Sequence, residues 1–81
     1  MKIERIKVLD SHAAYARFLS HVSEDPVGEI PRQANIPSPY AFSSVHPLWQ
    51  MEDGRKVIIV ETRHRHYEVF EVSNPVYAAA S

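Results

Sequence analysis

The chain has 81 residues, of which 44% are apolar and 23% charged, a balance typical of one folded domain rather than a disordered chain. Its formal net charge of −1 excludes attraction to nucleic acid or to an acidic membrane through overall charge. The sequence contains no Cys, which excludes disulfides and thiolate metal sites. Its first residues lack the apolar core of a signal peptide, so we expect a cytoplasmic protein.

Residues 2–24 predict a strand followed by a helix. Residues 2–9 combine β-branched and charged side chains, which favours a strand. Asp10 or Ser11 can cap a helix over residues 11–24, because a side-chain oxygen there accepts a hydrogen bond from the first helical turn. Pro26 limits that helix on its C-terminal side. One apolar stripe with helical spacing comprises Ala14, Tyr15, Phe18, Leu19 and Val22.

Residues 25–47 predict a long Pro-rich loop. Its prolines are Pro26, Pro31, Pro37, Pro39 and Pro47. It also carries the apolar residues Val27, Ile30, Ile36, Tyr40, Phe42 and Val45, which are too many for a free linker. We therefore expect an ordered, partly extended strap that lies on an apolar surface.

The rest of the chain predicts three antiparallel strands, over residues 48–52, 56–63 and 66–73, followed by a flexible tail over 75–81. Asp53-Gly54 favours a two-residue type I′ turn, which would place Trp49 opposite Ile58. The next turn must fall within residues 63–66. A two- or four-residue loop there would place Glu61 opposite Glu68.

This register predicts a sheet that is apolar on both faces. One face would carry Leu48, Val57, Ile59, Phe70 and Val72, and the other Trp49, Met51, Ile58, Val60, Tyr67 and Val69. A single helix covers one face. The other would be covered by the Pro-rich strap, by a second copy of the chain in a homodimer, or by another protein.

The predicted fold class is therefore α+β, in one domain over residues 1–74 with the order β-α-β-β-β. The helix packs on one face of an antiparallel three-stranded meander. The first strand either adds at the edge of the meander or lies near its centre, and the sequence does not decide between these positions.

The densest basic and aromatic cluster in the sequence comprises Arg63, His64, Arg65, His66 and Tyr67. Arginine forks bind phosphate and an aromatic ring can stack on a base, so this cluster could bind RNA. Histidine could also act as a general acid or base in RNA cleavage. In architecture alone, without a shared motif, the predicted fold resembles small ribonuclease toxins of the RelE kind.

A metal site is a weaker alternative. His64 and His66 lie two residues apart and could both face one ion if the backbone is extended. The sequence offers no tight third ligand, only His12, His21, His46, Glu61 and Glu68 at scattered positions. We therefore expect no metal and no other cofactor.

No catalytic constellation is apparent in the sequence, and it has too few glycines for a phosphate-binding loop. We therefore expect a non-enzymatic protein-protein interaction module. It would act as a stoichiometric regulator or inhibitor of a larger protein or complex, as small bacterial and phage proteins do. The residues expected to contact the partner are Tyr40, Phe42, Trp49, Arg63 and Arg65.

Overall fold

The computed structural model describes residues 1–31, 36–38 and 45–74, and in them it has the α+β architecture predicted from the sequence. Along the chain, its elements are β1 (Lys2–Leu9), α1 (His12–Leu19), β2 (Gly28–Ile30), β3 (His46–Gln50), β4 (Lys56–Arg63) and β5 (His66–Ser73). The strands form one antiparallel sheet in the order β1-β5-β4-β3-β2. No helix in the described part of the chain is long and apolar enough to span a membrane.

The first strand lies at one edge of the sheet, beside β5. Ile3 is opposite Val72 and Leu9 is opposite Tyr67. The register shifts between Arg5 and Lys7, where a bulge interrupts the pairing. A bulge on an edge strand discourages pairing with further strands of the same kind.

The turn between β3 and β4 differs from the prediction. Gly54 has a φ of +92°, but Asp53 has no positive φ, so the turn is not type I′. The Met51 amide donates to the Arg55 carbonyl (2.8 Å), and the Gly54 amide donates to the Met51 carbonyl (2.9 Å). These bonds close a three-residue loop, which shifts the register by one residue.

The register of the second hairpin also shifts. Arg63 is opposite His66, which leaves a two-residue loop within the predicted range. An irregularity between Glu61 and Arg63 then places Glu61 opposite Tyr67, so the predicted pairing of Glu61 with Glu68 is wrong. Glu68 instead accepts a hydrogen bond from Arg5 Nη1 (2.7 Å) in β1.

As a result of the two shifts, the apolar residues of β4 change faces. Both faces remain apolar, and each carries a cluster of buried residues. One core cluster contains Ile30, Leu48, Ile58, Val60, Phe70 and Val72, with Ile3 and Ile36 packed against it. The other contains Leu9, Phe18, Val57 and Val69, with Tyr15, Trp49, Met51, Ile59 and Tyr67 among the residues packed against it.

The helix is shorter than predicted. Ser11 caps it, with its Oγ accepting a hydrogen bond from the Ala14 amide (3.1 Å), but the last helical residue is Leu19 rather than Glu24. Beyond the helix, the Ser23 amide donates to the Gln50 carbonyl (2.7 Å). The Gln50 amide in turn donates to Ser23 Oγ (3.1 Å). These bonds to β3 replace the last helical turns.

The segment predicted as an irregular loop over 25–47 contains β2. Its three residues pair with His46–Leu48, and Ile30 is fully buried. Farther along, Ile36 packs on the same core cluster, and Ser38 Oγ donates to Glu68 Oε1 (3.2 Å). In this segment, residues 28–30 therefore form an edge strand of the sheet, and residues 36–38 lie on the sheet face opposite α1.

Candidate functional site

An open cleft of about 350 Å³ lies between α1 and β3, with β4 at its floor. We call it the aromatic cleft. It is lined by Tyr15, Leu19, Pro47, Trp49, Ile59, Glu61 and Tyr67. Most of these side chains are half-buried, while Pro47 and Glu61 are exposed at the rim.

The cleft exists because α1 covers only part of its sheet face. The helix packs over β1 and β5, the two strands at one side of the sheet. A helix is about 10 Å wide and neighbouring strands lie about 4.8 Å apart, so one helix covers about two strands. The α1-facing side chains of β3 and β4, Trp49 and Ile59, are therefore left beside the helix rather than beneath it.

One wall of the cleft is a stacked pair of tyrosine rings. The Tyr15 and Tyr67 ring centroids are 3.9 Å apart and the ring planes differ by 12°. The His12 ring lies 6.3 Å from Tyr15. Desolvation and the nearby Glu61 carboxylate raise the pKa of Tyr67 above its ordinary value. Because that ordinary value is already about 10, the phenol is a hydrogen-bond donor at neutral pH.

The predicted basic cluster lies at the β4–β5 hairpin, next to the cleft. We call Arg63, His64 and Arg65 the basic tip, and all three are exposed. Arg65 has a φ of +63°, and Thr62 Oγ1 donates to the His66 carbonyl (3.3 Å), which ties the two strands together at the tip. In the described residues neither arginine has a carboxylate partner.

The predicted partner-contacting residues are brought together in part. Trp49 lines the cleft, and Arg63 and Arg65 lie at the neighbouring tip. Tyr40 and Phe42 lie outside the described residues, so their predicted role is not examined by the structure. Tyr67 belongs to the cleft, with one ring face occupied by Tyr15.

Sequence reasoning missed the residues that close the cleft on its other sides. Tyr15 and Leu19 were expected to be buried in the core beneath the helix, and Pro47 was assigned to the loop. Ile59 was placed on the opposite face by the wrong register. The available signal was the mismatch in width between a single helix and a sheet of several strands, which leaves part of one face uncovered.

The histidines at the hairpin do not form a metal site with their neighbours. Within residues 1–31, 36–38 and 45–74, no group of three His, Asp or Glu side chains is arranged to hold a metal ion. His64 and His66 also have no side-chain hydrogen-bond partner in this part of the chain. An imidazole without such a partner is not fixed in one tautomer or orientation.

The chain was compared with protein-family models, with curated proteins and with solved structures, and nothing matches in any of the three.

Proposed function

We propose that the chain is a small protein-binding module that docks stoichiometrically on a larger protein and regulates or inhibits it. The observation that supports this proposal is the aromatic cleft, open to solvent beside two arginines that have no ion-pair partner among the described residues. The partner would insert apolar side chains into the cleft and present carboxylates to the basic tip.

The composition of the cleft suits a protein partner. Trp and Tyr are enriched in the energetically dominant parts of interfaces, because they bury a large apolar surface and keep a polar group for hydrogen bonding. The cleft is large enough for one or two side chains, and burying each would contribute roughly 1.5 to 3 kcal/mol. The Tyr67 phenol and the Glu61 carboxylate provide a donor and an acceptor at the edge.

The basic tip would determine which partners are accepted. Exposed arginines at the border of an interface contribute to association rate and selectivity more than to affinity. Arg63 and Arg65 project from a hairpin whose neighbouring Glu61 is on the cleft wall. A partner surface with apolar side chains flanked by Asp or Glu would match both features.

An RNA-directed function is the second candidate, and the exposed basic tip favours it. Two arginines and a histidine on one hairpin could contact phosphates in a salt-dependent manner. The stacked tyrosines support it less, because Tyr15 already occupies one face of the Tyr67 ring that would stack on a base. We therefore rank RNA binding or cleavage below protein binding.

Affinity purification from the native host, followed by mass spectrometry, tests the proposal. The bait is the full chain, compared with an Arg63→Ala/Arg65→Ala variant and with Trp49→Ala. A Lys2→Ala/Lys56→Ala variant is the matched control, since it removes the same charge elsewhere. We expect one protein to be captured in a fixed ratio by the wild type and by the control, and its recovery to fall at least several-fold with both site variants.

Circular dichroism of each variant distinguishes a loss of binding from a loss of folding, which matters most for Trp49→Ala. A gel-shift assay with single-stranded RNA at low salt is run in parallel. If RNA is bound or cut, and this is lost with Arg63→Ala/Arg65→Ala, the second candidate replaces the first. Capture that is equal for the wild type and both site variants would contradict a role for this site.

A further inference from the structure

A second, smaller pocket of about 210 Å³ lies between β1 and α1, on the other flank of the helix from the aromatic cleft. Its apolar lining includes Leu9, Ala14 and Phe18. The remaining lining residues include three basic side chains, Lys7, Arg17 and His21, and no acidic one. We call this site the β1 pocket.

Two of the basic groups around the β1 pocket lack a carboxylate partner. Lys7 and Arg17 form no ion pair with any residue in the described part of the chain. Lys7 Nζ lies 5.9 Å from the centroid of the Phe18 ring, which places the ammonium group over the apolar lining. His21 Nδ1 lies 3.4 Å from Glu52 Oε1. A carboxylate entering the pocket would therefore meet two uncompensated positive charges.

The pocket adjoins an unpaired strand edge. Within residues 1–31, 36–38 and 45–74, β1 is the last strand on its side of the sheet and pairs with β5 alone. No strand of the described residues pairs with the outer backbone groups of β1. Val8 lies in the part of β1 beyond the bulge and is 57% exposed. An extended peptide can add to such an edge by main-chain hydrogen bonds while a pocket beside the strand selects one of its side chains.

The charges on β1 disfavour a second copy of the same chain as the occupant. Lys2 is paired with Glu4 and Arg5 with Glu68, but Lys7 has no carboxylate partner among the described residues. Pairing two copies edge to edge would therefore place a second unpaired ammonium group in the same interface. The bulge between Arg5 and Lys7 further disfavours regular self-pairing. A segment with acidic side chains avoids this repulsion.

We propose that β1 and the β1 pocket bind an extended acidic segment of another protein as an added strand. An apolar side chain of that segment occupies the pocket, and a neighbouring carboxylate lies between Lys7 and Arg17. The inference is independent of the proposed function, because the aromatic cleft and the β1 pocket use opposite flanks of α1.

The test is a selection of peptides from a random phage-displayed library on the immobilised full chain. We expect the enriched sequences to combine β-branched or Leu residues with Asp or Glu. Affinity for a synthetic copy of an enriched peptide should fall at least about tenfold with Lys7→Glu/Arg17→Glu. N-methylation should reduce the affinity by a similar factor at one of the two alternate sets of peptide amides, the set that faces β1. Arg63→Ala/Arg65→Ala should leave the affinity unchanged, and Lys56→Glu is the charge control.

Several outcomes would overturn the proposal. These are the absence of acidic peptides among the enriched sequences, binding that is undiminished by N-methylation of each of the two alternate sets of amides in turn, and loss of binding with Arg63→Ala/Arg65→Ala instead. Self-association that is lost with Lys7→Glu/Arg17→Glu would show that a second copy is the occupant. If the double charge reversal reduces folding by circular dichroism, Lys7→Gln/Arg17→Gln tests the same contacts and should also weaken binding.

Discussion

His46 is a buried imidazole in an otherwise apolar part of the sheet. It is 6% exposed and lies opposite Ile30, which is fully buried. Burial lowers the pKa of His46 below its ordinary value, because the charged form loses more hydration than the neutral form. Folding therefore favours the neutral form of this side chain over the charged form.

The stability of the fold should consequently decrease on mild acidification. The unfolded chain takes up a proton on His46 at about pH 6.5, before the folded chain does, so the free energy of unfolding falls as the pH drops through that value. Urea unfolding between pH 8 and 5.5 measures this dependence. His46→Leu should flatten the curve, whereas His64→Gln, at an exposed position, should retain the slope of the wild type. Equal slopes for wild type and His46→Leu would contradict the assignment.

Gly54 sets the geometry of the β3–β4 loop through its backbone. Its φ is +92°, and a Cβ built there would meet no atom within 4 Å, so an added side chain costs backbone strain and no steric clash. We expect Gly54→Ala to lower the free energy of unfolding by about 1 kcal/mol, which corresponds to a decrease of about 4–8 °C in Tm. Gly54→Asn should lower the stability by less, because Asn tolerates the left-handed region better. An unchanged Tm for Gly54→Ala would show that the loop has another conformation.

At the scale of elements, α1 depends on the sheet for its stability. A helix of eight residues is too short to persist alone in water, even with Ser11 as its N-cap. Its buried side chain is Phe18, which packs with Leu9, Val57 and Val69. The helix therefore forms because this ring is buried in the sheet.

Phe18→Ala should accordingly destabilise the whole domain by about 3–4 kcal/mol, while Phe18→Leu should cost less than half of this. Ala13→Ser, at an exposed position of the same helix, is the control and should change stability little. Chemical denaturation measured by circular dichroism gives all three values. A loss below 1 kcal/mol for Phe18→Ala would mean that the ring is not a core residue.

The elements with strong local patterns were predictable from the sequence. The apolar runs of β4 and β5 have the bounds expected from their β-branched and aromatic residues, and Ser11 caps the helix. The register was not predictable, because Asp53-Gly54 fits a two-residue turn and also a three-residue loop with Gly in the left-handed region. The end of the helix was missed because the bonds between Ser23 and Gln50 join residues far apart in sequence. The cleft is formed by the observed strand register and by the observed end of the helix. The sequence therefore indicated Trp49 as a partner-contacting residue but did not indicate Ile59.

At the scale of the whole molecule, the sheet face opposite α1, which we call the second face, is buried within one chain. Ile58, Phe70 and Val72 on that face are at most 2% exposed within one chain. Ile30 belongs to the core cluster on this face, and Ile36 packs against it. Both residues come from the segment predicted as the strap. The partner surface that we propose is therefore the aromatic cleft with the basic tip, and not this face.

We accordingly expect the isolated chain to be a monomer at micromolar concentration. A dimer through the second face would require that these buried side chains become accessible, which costs the free energy of their burial. Sedimentation equilibrium measures the mass directly. A dimer that is weakened by polar substitution of Val72 would restore the second face as an interface.

The central claim, that a protein partner occupies the aromatic cleft, is tested most directly by site-specific photo-crosslinking in the native host. A photoreactive amino acid is placed at Glu61 or Pro47, the exposed rim residues, and in a control chain at Glu24, which is exposed beyond the helix. We predict that both rim positions crosslink to the same protein and that position 24 does not. The claim would be contradicted if the rim positions gave no protein adduct, or if position 24 gave the same adduct in equal yield.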